Sequence, residues 1–427
     1  MKHTFFDVIV VGAGFAGLSA SYHLKRHGLN HIVFERGRIG ESWRSQRWDS
    51  FRLNSVNRIS QFEGQDNNMN PDEFATAGSF LASFEEYVSK FNLPVVENTK
   101  VISIEKPAGL FEVTVSTNNT IRHYSCAQII IASGYDNESL VPSFSKNISR
   151  RITQLHTRDY RNAKQLPEGA VIVVGSAQSG VQIAEDLADA GKKVYLSTSM
   201  VARVPRWYRG KDIMIWLLEM RFFDMRAEDI QDPAMLNMKP PQITGIGGSK
   251  HTISLQALAK KGVVILGKTE NADEKNMFFQ PNAAMHVKFA DGFSMKVKGM
   301  IDGYIAQTQM IAEAAETDEA DIPDENASCA GLLSSLNFEK DDIGSVIWAT
   351  GFRNDFSYIK LPVFDDEGKL KHKDGITVVP GLHFIGIPWL RNRKSGILYG
   401  LKEDAKCVVD RISDYSKASS GSIPIAV

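Results

Sequence analysis

The sequence predicts an α/β fold made of two parallel-sheet nucleotide units, one inserted into the other. Three observations lead there. Two glycine turns, "GAGFAG" at 12–17 and "GSAQSG" at 175–180, each follow a short apolar run and open a helical pattern. Strand-like and helix-like stretches alternate along much of the chain, as parallel sheets with crossover helices require. The 427 residues, 43% of them apolar, suffice for two or three domains with cores of their own.

Composition narrows the function. The net charge is -1 and the charges are scattered, so nothing predicts a grip on nucleic acid or on an anionic membrane. No apolar run approaches the roughly 20 residues of a spanning helix. "MKHTFF" leads straight into a strand, which leaves no room for a secretory signal and predicts a cytoplasmic protein. Cys126, Cys329 and Cys407 lie far apart, without a CxxC, and read as small buried residues rather than a metal cluster or redox pair. A homodimer is left open.

The elements follow in order. "FDVIVV" (6–11) is a β-branched run typical of a strand buried on both faces. The next helix puts Ala20 and Leu24 on one face, and "HIVFE" (31–35) is a second strand. Residues 40–75 are irregular and rich in Trp, Arg and Asn, the composition of a ligand-covering loop. "GSFLASFEEYVSKFN" (78–92) reads as a helix, and "VISIEKP", "LFEVTVST" and "TIRHYSC" as an antiparallel meander. "AQIIIASGYDN" reads as a separate buried strand. The second unit opens at Ala170, with Val181, Ala184, Leu187 and Ala188 on one helical stripe. Residues 205–245 and 270–335 read as irregular insertions around helical pieces, including Met300, Tyr304, Ile311 and Ala315 at helical spacing. "GVVILG" (262–267), "GSVIWATGF" (344–352) and "GLHFIGI" read as strands, and Leu401, Ala405, Val408 and Ile412 mark a closing helix. Residues 1–150 and 335–415 are therefore expected to share the first sheet. Residues 151–334 would form the inserted unit, and 416–427 a disordered tail.

The glycines carry the chemistry. In a Rossmann-type dinucleotide turn Gly12 permits the tight bend, Gly14 lets backbone approach a pyrophosphate, and Gly17 lets helix pack on strand. The helix N-terminus then offers free N–H groups to the phosphates. Glu35, 23 positions after Gly12, stands where a carboxylate accepts from ribose hydroxyls. The second turn keeps Gly175 and Gly180 but has Ala177 in the middle, and the same count reaches Thr198 instead of an acid. Hydroxyls at Ser197 and Thr198, with Arg203 and Arg206 just beyond, predict a 2′-phosphate and hence NADPH over NADH. A solvated surface loop is the plainer reading of those arginines.

Taken together, these motifs resemble the single-component flavin-containing monooxygenases among the two-dinucleotide-binding flavoproteins. "GAGFAG" with Glu35 matches their FAD turn, and "GESW" (40–43) resembles their GGxW with Glu41 replacing a glycine. "LNSVNR" (53–58) stands where those enzymes carry an Asn-Ser segment. "IIASGYDN" and "IWATGF" match two ATG-like turns, and "VVGSAQSGVQIAEDL" is close to their NADPH turn. In "RRITQLHTRDY", His156 and Tyr160 fit the family fingerprint, but Arg150 and Ile152 replace its Phe and Gly. The chain is thus assigned to neither the Baeyer–Villiger nor the heteroatom-oxidising subgroup. It is similar to uncharacterised bacterial oxidoreductases that share "GxSWRSxRWDSF" and "RKSG".

The resemblance implies FAD in the first unit, NADPH in the second, and a C4a-(hydro)peroxyflavin that passes oxygen from O₂ to a small organic substrate. It implies Asn54 beside flavin C4a as the catalytic polar group, against a plainer reading as a turn residue. Cofactor contacts are expected from Gly12, Gly14, Phe15, Ala16, Gly17, Glu35, Arg36, Ser42, Trp43, Trp48, Val101 and Ala132. In the second unit and beyond they are expected from Gly175, Ser176, Gln178, Ser179, Gly180, Ser197, Thr198, Arg203, Arg206, Ala349, Thr350 and Gly351. Ser395 and Gly396 are expected to begin the last helix, its N-terminus facing the flavin's pyrimidine side. Trp43 and Trp48 either stack near a cofactor ring or plug a domain seam, and His156 reads as a strut between domains. Two other readings are a reductase serving a redox-protein partner and a flavin-binding sensor without activity.

Overall fold

In the computed structural model the described residues are 4–66, 69–135, 137–237, 240–246, 251–328 and 332–420. Thr4–Val11 lies inside a nine-stranded sheet, parallel to His31–Phe34 on one side and to Thr120–Ile131 on the other. Leu382–Phe384 pairs parallel beyond Thr120–Ile131, and Val95–Val96 beyond His31–Phe34. Within "FDVIVV", Val8–Val11 are buried on both faces: Val8 and Val10 lie in the core shared with Phe15–Arg26 and the closing helix, Ile9 and Val11 in the one with Phe34, Val113 and Val363.

"TIRHYSC" and "AQIII" prove to be one strand. Its first half pairs antiparallel with Phe111–Thr117 and is largely exposed; its second pairs parallel with Thr4–Val11 and is buried. The change of partner explains why the run reads as two elements.

The second sheet has five parallel strands in the order Val264–Leu266, Val194–Ser197, Ala170–Val174, Ile343–Trp348, Thr153–His156. This corrects the domain boundary: Ile343–Trp348 belongs to the inserted unit, not to the first sheet. "SVIWATG" and "QIIIASG" are alike in sequence, and only the pairing separates them. The chain crosses between units at Glu138–Ser139 and Phe352–Arg353, which pair antiparallel. Leu140 N donates to Gly351 O at 3.0 Å, and Arg353 Nε to Glu138 Oε2 at 2.7 Å.

The insertions are more regular than expected. Residues 270–335 contain a three-stranded sheet and a 26-residue helix, Ala283–Thr308, so the helical spacing at Met300 and Tyr304 is only its last turns. The helix stops at Gln309, which takes φ 53°. Between 205 and 245, Ile213–Glu219 forms a helix whose N-terminus is capped by Asp212 and whose own Trp216 is fully buried. The closing helix, Leu398–Ser420, begins later and runs further than expected. Residues 416–420 are therefore helix, and the remainder of the expected tail, 421–427, lies outside the described residues. Among the described residues no helix is long and apolar enough to cross a membrane.

Candidate active site

The two glycine turns are built alike. Gly12 has φ +104°, and a β-carbon there would lie 2.6 Å from Ala132 O; one on Gly17 would lie 1.9 Å from Gly12 O. Gly175 has φ +111°, with the corresponding point 2.4 Å from Ala349 O, and one on Gly180 would lie 1.9 Å from Gly175 O. Each turn is thus locked against its own Ala-Ser/Thr-Gly turn. Ala349, Thr350 and Gly351 consequently serve the second turn, which corrects their assignment to the first sheet.

Gly14 is different. A β-carbon there meets nothing within 4 Å, so the space before the first helix is an open cradle. Gly14 is that helix's N-cap and offers no side chain, leaving the first N–H groups for a ligand. In the second turn the methyl of Ala177 occupies the equivalent position.

A cavity of about 200 Å³ opens beside the first turn and brings together Gly12, Glu35, Arg36 and Val101 with Ser133 and Tyr358. The Glu35 carboxylate accepts from Ala13 N at 2.8 Å and Gly37 N at 2.9 Å. Burial nonetheless raises its pKa above the ordinary carboxylate value. Tyr358 was missed by sequence reasoning, having no motif around it. Its hydroxyl lies 2.9 Å from Ser133 Oγ, and burial pushes its pKa up to about 12. Phe15 turns its ring inward, stacked on Phe62 at 4.2 Å, so it and the buried Ala16 have only backbone to offer at the turn. Ser42 is exposed, Trp43 is half-buried edge-on to Phe80, and Trp48 is buried edge-on to Phe51.

The second site departs from expectation. Gln178 was to face phosphates, but its amide donates to Thr244 O and accepts from Ile243 N, both at 2.7 Å. Ser176 is buried, and its hydroxyl accepts from Ser199 N. Ser179 remains half-buried at the helix start. The segment 242–246 is strapped along the helix Gln178–Asp189 by Gln178, Gln182 and Glu185. The hydroxyl of Ser197 donates to Gly267 O, and that of Thr198 to Leu266 O, with His286 also in reach.

The arginines need a further correction. Arg203 is 1% exposed and ion-paired with Asp291 and Asp321. Arg206 is 0% exposed and paired with Asp212. Neither is a solvated loop cation, and neither is free for a 2′-phosphate. The partners of Arg203 lie far along the chain, whereas Asp212 stands six residues after Arg206 and meets it only because Trp207–Tyr208 and Lys211–Asp212 form a hairpin.

Asn54 sits at the seam between the units. Gln182 Nε2 is 3.5 Å from its Oδ1, and Arg206 Nη1 donates to its carbonyl at 2.8 Å. The same loop is clasped to the second unit by Ser50 on Asp186 at 2.7 Å and by Asn162 on Asp49 at 2.6 Å. Tyr160 holds the other oxygen of Asp186 at 2.6 Å, and His156 Nε2 lies 2.9 Å from Gly351 O at the crossing.

Ser395 and Gly396 precede the last helix rather than begin it, since it starts at Leu398. The Ser395 hydroxyl accepts from Arg391 N and Asn392 N. Lys394 is buried against Asp224 and Glu403. Cys126 is buried, which pushes its thiol up to about 12, and Cys407 is half-buried; Cys329 lies outside the described residues.

Residues 9–230 match the model of the pyridine nucleotide-disulphide oxidoreductase family. An uncharacterised CzcO-like oxidoreductase of Geobacillus kaustophilus is 30% identical over 97% of this chain and all of its own length. Among solved structures, a flavin-containing monooxygenase from Stenotrophomonas maltophilia aligns with a TM-score of 0.63 at 18% identity, covering 97% of this chain and 99% of that one. The structure of OTEMO in complex with FAD and NADP aligns with a TM-score of 0.60 at 14% identity, covering 98% and 86%. At these identities the solved structures carry the fold, which is the two-unit fold read from the sequence. The kinship read from the motifs is borne out. The chain belongs to the pyridine nucleotide-disulphide oxidoreductase family and is an oxidoreductase.

Proposed function

We propose that the protein is an FAD-dependent, NADPH-consuming monooxygenase that places one oxygen atom of O₂ on a small organic substrate. The observation that supports this most is Asn54, a neutral amide on a first-unit loop held against the helix of the second nucleotide turn. An amide donates and accepts hydrogen bonds without titrating, so it can hold an oxygen-bearing group where a carboxylate or imidazole would exchange protons with it.

The residues present fit FAD in the first unit. The open cradle at Gly14 suits a pyrophosphate, and Glu35 and the cavity at Arg36 and Val101 suit the attached ribose. Bound there, the flavin supplies the electron relay between a nicotinamide and O₂. The second turn offers Gly175, Ala177 and Ser179 to the nicotinamide nucleotide, all half-buried rather than sealed. The NADPH preference draws support from the family resemblance and from OTEMO's NADP, no longer from Arg203 and Arg206.

Two residues from Asn54, Val56 joins Ile59 and Phe74 in an apolar cluster completed by Met214, Ile215 and Leu218 of the helix Ile213–Glu219 and by Tyr399. Such a wall excludes water and favours an apolar substrate. The buried thiol of Cys126 and the lack of a CxxC in the sequence weigh against disulfide reduction.

The test begins with the purified protein. It should carry FAD whose visible absorption NADPH bleaches without air. Incubation with ¹⁸O₂ and a panel of thioethers, amines and ketones should give a product with one labelled oxygen. Which compound is labelled separates N- or S-oxygenation from Baeyer–Villiger oxidation. Bleaching with no labelled product from any of the panel would turn the reading toward a reductase.

A further inference from the structure

Arg206 is a costly residue to bury. Its guanidinium is 0% exposed and Asp212 only 2%, yet such pairs are often no more stabilising than apolar side chains of the same shape. Its Nε finds no partner, so fold stability alone gives a poor account of it. What the fork does instead is join three parts of the molecule. Nη1 donates to Asn54 O at 2.8 Å in the first unit. Nη2 holds Asp212, whose other oxygen caps the helix Ile213–Glu219 by accepting from Met214 N at 2.8 Å. The guanidinium plane stands 4.7 Å from the ring of Phe74, a member of the apolar cluster beside Asn54. A lysine has one charged point and lacks this planar fork.

Resting on the monooxygenase reading, we propose that Arg206 is a positioning residue for oxygen transfer. It fixes the backbone at Asn54 against the second unit while Gln182 donates to the amide oxygen, so that the amide N–H₂ would be left to donate to a bound flavin. Asp212 orients Arg206 and links the helix Ile213–Glu219 to the same point. With Asn54 displaced, O₂ that has taken two electrons from NADPH through the flavin, and two protons, would leave sooner as hydrogen peroxide, so the role shows in the rate of peroxide release rather than in flavin reduction.

The experiment uses the FAD-loaded protein and its Arg206→Met, Arg206→Lys and Asp212→Asn variants, each checked for FAD content and near-UV circular dichroism. Two quantities are read: the rate at which NADPH bleaches the flavin without air, and hydrogen peroxide released during aerobic NADPH oxidation without organic substrate. Loss of one buried charge-assisted hydrogen bond corresponds to about a tenfold rise in peroxide release, while bleaching stays within about threefold. Lysine should rescue part of the difference. In an Asn54→Ala background, Arg206→Met should add nothing further, because the effect passes through that side chain. Unchanged peroxide release in folded Arg206→Lys and Asp212→Asn, or additive effects with Asn54→Ala, overturns the proposal. If Arg206→Met does not fold, those two variants decide. A wild-type protein that NADPH does not bleach, or that never oxygenates a substrate, defeats the functional reading instead.

Discussion

A β-carbon placed on Gly175 falls 2.4 Å from the carbonyl oxygen of Ala349, whereas one placed on Gly14 meets nothing within 4 Å. The fold requires the first glycine and not the second, whose open surroundings suit the proposed pyrophosphate. The two kinds of glycine can be told apart by experiment.

Gly14→Ala should fold normally, because Gly14 has φ −82° and ψ −174°, a conformation open to any residue. Stability of the FAD-free protein should change by less than about 1 kcal/mol, while FAD retention falls sharply as the methyl enters the cradle. Thermal melts of the stripped protein and flavin content after gel filtration check both halves.

Gly175→Ala should cost about 2–5 kcal/mol, since it adds both a left-handed φ for alanine and a collision with backbone. FAD should remain bound to the first unit, and bleaching by NADPH should be lost. Retained bleaching at wild-type rate would mean the second turn does not hold the nicotinamide nucleotide.

Arg203→Ala should lower stability by about 2 kcal/mol, less than a fully buried pair because Asp291 and Asp321 stay part-exposed. The ratio of NADPH to NADH efficiency should stay within about twofold. A selective loss of NADPH would restore Arg203 to the 2′-phosphate.

Asn54→Ala should leave FAD content unchanged and raise the share of NADPH electrons recovered as hydrogen peroxide by about tenfold. Product assays under ¹⁸O₂ should fall in step. Equal coupling in variant and parent would remove Asn54 from the chemistry.

His383 predicts a pH dependence. Burial, aided by Arg411, lowers its pKa to about 4, and Nε2 lies 2.9 Å from Gln128 Oε1. The folded state therefore disfavours the proton that the unfolded chain accepts near pH 6.5. Stability is full above that value and declines as pH falls from about 6.5 to about 4, by on the order of 3 kcal/mol. Urea midpoints at pH 7.5 and 5 should differ less for His383→Gln than for the parent.

Much of this architecture was legible because its signals are local. The turns at Gly12 and Gly175, the acid at Glu35 and the buried runs before them lie within single stretches of chain. Ile343–Trp348 was assigned to the wrong sheet because nothing in "SVIWATG" distinguishes it from "QIIIASG". The helix Ala283–Thr308 was half-missed, with Gly292, Gly299 and Gly303 interrupting its pattern. Arg203, Arg206 and Gln178 were read as ligand contacts; Asp291, Asp321 and Ile243 reach them from other segments, and Asp212, six residues past Arg206, reaches it through a hairpin. Tyr358 reaches the first cavity from more than 200 residues beyond Ser133, a relation only the fold creates.

The paired crossing at Glu138–Ser139 and Phe352–Arg353 has an evolutionary side. A segment whose two ends meet side by side in one short strand pair, tied by Leu140 to Gly351 and by Arg353 to Glu138, can be gained or exchanged as one stretch of gene without rewiring its host. The inserted half of this molecule has the build of a removable cassette.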